Sequence, residues 1–227
     1  MGDTDGLIGA DKYLHSRRIF RERARTEFFA RNHAESLVTA TNDYVAGAML
    51  AASGHDMEGI PNAEYIGGLM VSFTRTHFIA MDLIVCSELI DSSTLVRKQF
   101  ELVARLKELS AIESLDNLLK KTPNLRVLKE EVRRLYGEYS RIAHSAHPEP
   151  LQLLGTIETE AGDYTPLYPV FVENAYIALN HAVHSVIEYY TWAHPFCSRY
   201  YQSYNVEWGE AWLDRVAATH KAMFDES

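Results

Sequence analysis

The feature that most constrains this chain is an apolar residue at every third or fourth position along most of its length. From about Asp11 to Ala52 the residues Phe20, Ala24, Phe28, Leu37, Val38, Tyr44 and Leu50 keep that spacing, which predicts one long helix or two, ended by Ser53 and Gly54. A loop over 54–61 follows, and Asn62 is placed to cap a second helix that carries Tyr65, Leu69, Phe73, Phe78 and Leu83 towards Glu88. Ser92 or Ser93 is placed to cap a third, with Val96, Phe100, Val103, Leu106, Leu109 and Ile112 as its stripe and Arg97 and Glu101 one turn apart. Thr122, Pro123 and Asn124 break the chain before a fourth helix from about Leu125 to Ser145.

After Pro148 the period changes to two. Leu153, Ile157 and Thr159 alternate with polar neighbours, Gly162 and Asp163 offer a turn, and Tyr164 to Val170 returns, so a β-hairpin is expected within residues 151–170. Helices at about Val172 to Trp192 and Val206 to Phe224 complete the chain. The expected fold is all-α, a bundle of about six helices with an inserted β-hairpin. At 227 residues and 47% hydrophobic content, it is read as a single domain with one sizeable core.

The apolar runs, of which Phe78 to Cys86 is typical, are interrupted by Asp82 and fall short of the roughly 20 residues of a membrane span. The start of the chain has no basic region followed by an apolar stretch. A cytoplasmic protein without a membrane partner is therefore expected. Cys86 and Cys197 sit in apolar or aromatic sequence without CxxC spacing, as buried reduced thiols would. The formal net charge of -9 argues against a surface that grips nucleic acid everywhere, yet leaves room for a local basic site. Arg17, Arg18, Arg21, Arg23, Arg25 and Arg31 form one concentration of cations, with Glu22 and Glu27 as partners if the face is simply solvated.

The fourth helix has the sharpest pattern. Leu128, Val132, Leu135, Tyr139, Ile142 and Ala146 share one stripe, and His144 falls about 180° from Leu135, beside Arg133, Gly137, Ser140 and Arg141. Gly137 weakens a helix by about 1 kcal/mol relative to Ala, so close approach by another helix is one reason for it.

The stretch from Tyr136 to Ser145, Tyr-Gly-Glu-Tyr-Ser-Arg-Ile-Ala-His-Ser, resembles the signature of the HEPN superfamily of helical domains. In active members a run similar to Arg-Asn-Arg-Ile-Ala-His ends a helix, and its first Arg and its His form a metal-independent ribonuclease site, usually across a dimer interface. Ser140, Arg141, Ile142, Ala143 and His144 match that run, and Tyr139 stands where the first Arg would be. A second register pairs Arg141 with His147, with Ile142 where the family prefers a polar residue. The layout is also similar to uncharacterised bacterial HEPN-like proteins in which Tyr, Ser and His recur and a β-hairpin precedes the last helices.

The resemblance implies a homodimer acting in a bacterial stress or phage-defence system, with RNA and a partner protein as its contacts. Arg141, His144 and His147 are the implied catalytic residues, Ser140, Arg133 and Tyr136 the implied binding residues, and no cofactor is called for. Cleavage through the 2′-hydroxyl needs a base such as His144 and a cation such as Arg141 against the phosphate. The alternative is that His144 bonds a neighbouring helix or the hairpin while Arg141 pairs with Glu138. The chain would then be a non-catalytic interaction or small-ligand-binding module built on the hairpin and the aromatic segment Tyr189 to Trp212.

His181, His184 and Glu188 share a helix face, and His77 is a conceivable fourth ligand. Paired Glu-x-x-His motifs from separate helices are missing, so satisfied interior histidines are expected and no metal.

Overall fold

The 3.6-residue spacing becomes eight α-helices in the computed structural model, which describes residues 9–54, 58–110, 115–143, 149–157, 159–160 and 162–225. They are α1 (Gly9–Phe29), α2 (Ala34–Ala52), α3 (Ala63–Val85), α4 (Leu89–Leu109), α5 (Leu115–Leu119), α6 (Glu130–Ala143), α7 (Asn174–Tyr200) and α8 (Val206–Asp225). The long N-terminal pattern is thus two helices, parted where His33 takes a left-handed φ of 65°. Such a backbone angle is incompatible with a continuing helix.

Two expected caps are not made. Asn62 precedes α3 with a left-handed φ of 58° and no side-chain bond to the helix. Ser92 and Ser93 lie inside α4, which starts at Leu89, and both hydroxyls donate to the Leu89 carbonyl, at 3.0 and 2.6 Å. Burial decides this, because a serine inside a packed helix satisfies its hydroxyl on a carbonyl of the preceding turn. α7 also runs on to Tyr200, through Pro195, beyond the expected end at Trp192.

The β-hairpin is overturned. Residues Glu149–Leu154 form a 3-10 helix, and among the described residues no strand forms. A single antiparallel bridge joins Ile157 to Tyr164, with backbone bonds of 3.0 and 3.1 Å. The turn between them is real, since Gly162 N donates to Thr159 O at 3.0 Å. A ladder cannot extend from it because Pro166 and Pro169 have no N–H to donate. The Tyr168 ring instead packs on α1, stacked 5.1 Å from Phe20 and 5.5 Å from Tyr13.

α3 lies along α4, α4 also packs on α6 and α7, and α2 joins α7 and α8. Rings fill the joint between α2, α3, α7 and α8. Tyr44 lies 4.3 Å from Trp212, and Phe73 stacks 4.2 Å from Tyr189. Each such ring, taken out of water, contributes about 1.5–3 kcal/mol. A polar chain crosses the centre: His77 bonds Asn42 at 2.8 Å and Gln99 at 3.3 Å, and Ser185 donates to Gln99 at 2.9 Å. By length and composition α3 is the one described helix that could cross a bilayer, and half of its apolar window is buried inside the bundle.

Cys86 and Cys197 are buried free thiols, as expected, and burial pushes the Cys197 thiol up to about 12. The α1 arginines find partners other than Glu22 and Glu27. Arg17 and Arg21 pair with Glu88, and Arg21 and Arg25 with Asp82, which clamps α1 across the α3–α4 corner.

Two glycines in helices separate packing from helix propensity. A methyl on Gly47 would stand 2.5 Å from the Trp208 ring, which is itself stacked on Tyr44, while a methyl on Gly137 would meet nothing within 4 Å. Overpacking costs about 1–3 kcal/mol and outweighs the helical gain of up to about 1 kcal/mol. Gly47→Ala should therefore lower the urea midpoint and Gly137→Ala raise it; shifts of the same sign would contradict this packing.

Candidate functional site

The apolar stripe of α6 is buried as its spacing predicts, at Val132, Leu135 and Tyr139, with Leu128 buried just ahead of the helix. These side chains fasten α6 to α4 and α7 and so set which residues it turns outward. Tyr139, at the position of the family's first Arg, is 4% exposed, and its hydroxyl is hydrogen-bonded to His181 Nδ1 at 2.8 Å. Burial pushes the Tyr139 phenol up, and burial with His184 and Arg134 nearby lowers His181 to about 4. Both side chains are neutral at neutral pH. Glu138, Ser93, Asn174 and Ile142 join them around a cavity of about 210 Å³ between α6 and α7.

The remaining predicted residues separate. The Tyr136 hydroxyl donates to Glu101 at 2.8 Å and accepts from Arg97 at 3.2 Å, with the Arg97 guanidinium 5.2 Å above the ring. Arg97 and Glu101 pair at 3.3 Å, as their spacing predicts, and Tyr136 locks α6 onto them. Ser140 is half-buried, and its hydroxyl oxygen is buried without a hydrogen-bond partner. Arg133 and Arg141 are exposed on the outer face beside Gly137. His144 and His147 lie outside the described residues, as does Ala146.

The histidines considered as metal ligands take separate partners. His181 bonds Tyr139, the His184 ring lies 6.3 Å from that of His220, and Glu188 pairs with Lys107. His77 is enclosed by Asn42 and Gln99. Among the described residues no three His, Cys, Asp or Glu side chains gather to hold a metal ion.

Two further features are the distribution of charge along residues 120–141 and a cavity that draws on the aromatic segment expected to line a ligand pocket. Between residues 120 and 141 seven cations are all exposed, Lys120, Lys121, Arg126, Lys129, Arg133, Arg134 and Arg141, against three carboxylates, Glu130, Glu131 and Glu138. This local excess of positive charge stands on a chain whose net charge is -9. A count of charges over 22 residues shows it, whereas on α1, the concentration of cations expected near the N-terminus, Asp82 and Glu88 offset three of the arginines. Arg105 holds the approach to α6 by donating to the carbonyls of Leu118 and Lys121.

The second is a cavity of about 570 Å³ where the start of α3 and the ends of α4 and α7 meet. From the aromatic segment it takes Trp192, Phe196 and Tyr200, whereas Tyr189 and Trp212 are fully buried in the core. Its other walls, among them Ile60, Lys107 and Ser110, are distant in sequence and carry no local signal.

The buried histidines predict acid sensitivity. Burial lowers His77 to about 3 in the folded chain, while an unfolded histidine titrates near 6.5. Below about pH 6.5 the unfolded state binds the extra proton, so stability is full above that pH and is lost as pH falls towards 3. The slope from His77 is about 1.4 kcal/mol per pH unit, with a smaller addition from His181. Urea melts between pH 7.5 and pH 4.5, as about three units of span, check this, and constant stability across them would refute it.

No protein-family model, curated protein or solved structure matches this chain.

Proposed function

We propose that this chain is an HEPN-like helical module that contacts RNA through the basic surface that runs from the end of α5 along α6, residues 120–141, as a component of a bacterial stress or phage-defence system. The observation that carries this is the set of seven exposed cations between residues 120 and 141. Phosphate binding needs clustered cations, and each phosphate contacted releases condensed counterions. The other arginine-rich helix, α1, is a poorer candidate because Arg17, Arg21 and Arg25 are committed to carboxylates of the same chain.

Binding is favoured over cleavage at the usual family position. A buried Tyr139 bonded to a neutral His181 offers no positive charge to a phosphorane-like transition state, and electrostatic stabilisation there is a large part of such catalysis. Arg141 with His144, or with His147, is the remaining pairing for chemistry. Gly137, with nothing within 4 Å of where a methyl would stand, leaves the outer face of α6 open to a second copy.

RNA affinity, measured in EDTA on single-stranded RNA and transfer RNA, should fall with salt by about 0.7 logarithmic units per contacted phosphate for each tenfold rise in salt. The double variant Arg133→Glu with Arg134→Glu should weaken binding about tenfold or more at low salt, whereas Arg18→Glu with Arg23→Glu on α1 should not. Salt-independent binding, or equal losses from both variants, would remove the basic surface from the account. Cleavage that vanishes in a folded His144→Ala variant while binding persists would restore catalysis.

A further inference from the structure

A second site, sharing no residue with the basic surface, is formed where α4 and α7 end. Trp192, Phe196 and Tyr200 are spaced four apart on α7, so they stand one above another on the same face. Trp192 and Phe196 stack at 4.7 Å and 20°, and the Tyr200 ring lies 5.0 Å from Phe196, tilted by 52°. The indole is held in place by its N–H, which donates to Ser110 Oγ at 2.9 Å. Ile60, Ile66 and Leu109, all buried, supply an apolar floor. The volume, about 570 Å³, falls in the range of small-molecule sites.

The charge of the walls selects the ligand. Lys107 and Arg199 line the cavity and no Asp or Glu does, on a chain with 31 acidic and 22 basic residues. Lys107 reaches from the wall to Glu188, which is 1% exposed, and that contact uses one of three ammonium donors. Arg199 lies 5.1 Å over the Tyr200 ring and is exposed, so it supplies the uncompensated positive charge at the rim. Thr191 and Pro195 also line the wall, and Pro195 has no N–H to give the Thr191 carbonyl.

We propose that this cavity binds a small planar aromatic anion, its ring against the Trp192–Phe196 stack and its carboxylate or phosphate at Arg199 and Lys107. Aromatic contact with such rings adds to the apolar area covered, and the cations fix which end points outward. A neutral ring of the same size forfeits the charged contact, and a cationic one is repelled.

The test uses three probes with one ring: indole-3-acetate, neutral tryptophol and cationic tryptamine. The chain has three tryptophans, so its labelled indole N–H signals report separately on Trp192, Trp208 and Trp212, with Trp192→Phe giving the assignment. Indole-3-acetate should move the Trp192 signal and leave the Trp212 signal, whose N–H is buried on the Ala40 carbonyl, in place. By calorimetry tryptophol should bind about fivefold or more weakly, tryptamine more weakly still, and Arg199→Gln, at an exposed position, should reduce indole-3-acetate to the level of tryptophol. Equal binding of all three probes, or an unchanged affinity in Arg199→Gln, would overturn the anion preference while leaving the cavity as a binding site. A Trp192 signal unmoved by any probe up to about 5 mM would overturn the site itself.

Discussion

Four helices meet on one buried hydrogen-bond chain, Asn42 to His77 to Gln99 to Ser185, and the placement of everything else follows from it. Each link comes from a different helix, α2, α3, α4 and α7. His77, Gln99 and Ser185 are fully buried, so a helix rotated out of register would leave polar atoms unpaired in an apolar interior. An orphaned buried polar group costs about 1–3 kcal/mol, whereas a slipped apolar contact is often replaced by another. The chain therefore selects one rotation for each helix. Once α4 and α7 are set, the faces that receive α6 and that end in the aromatic cavity are set too.

This arrangement divides cations into two kinds. Arg17, Arg21 and Arg25 of α1 lie over the α3–α4 corner and are paired with Asp82 and Glu88, where they hold helices together. Those from Lys120 to Arg141 flank a helix whose opposite side is spent on the core, and they stand in solvent. An electrostatic field useful for a phosphate backbone comes from the second kind, since the first is cancelled within about one Debye length. Tyr139 shows the same economy on α6: its ring fills the space against Phe100, and its hydroxyl meets His181.

Several features are legible in the sequence. The α6 stripe, the Arg97–Glu101 pair and the buried state of both cysteines depend on residues within a turn or two, or on local composition. The hairpin misled because period-two alternation over a few residues says nothing about whether the ladder can continue, and Pro166 and Pro169 stop it. Ser92 and Ser93 misled for a related reason: a serine near a helix start serves as a cap or bonds back to the preceding turn, and burial makes the choice.

The candidate sites divide along the same line. The sequence by itself determined that the chain is helical, where its apolar faces lie and how many cations crowd residues 120–141, because these follow from backbone geometry at 3.6 residues per turn and from plain counting. Only the tertiary structure decided that Arg21 meets Asp82 and Glu88, that Tyr139 meets His181, and that Lys107 and Trp192 share a cavity. Those partners are tens of residues apart, and which of many chemically equivalent partners meet is settled by how helices pack, a choice that local spacing does not encode.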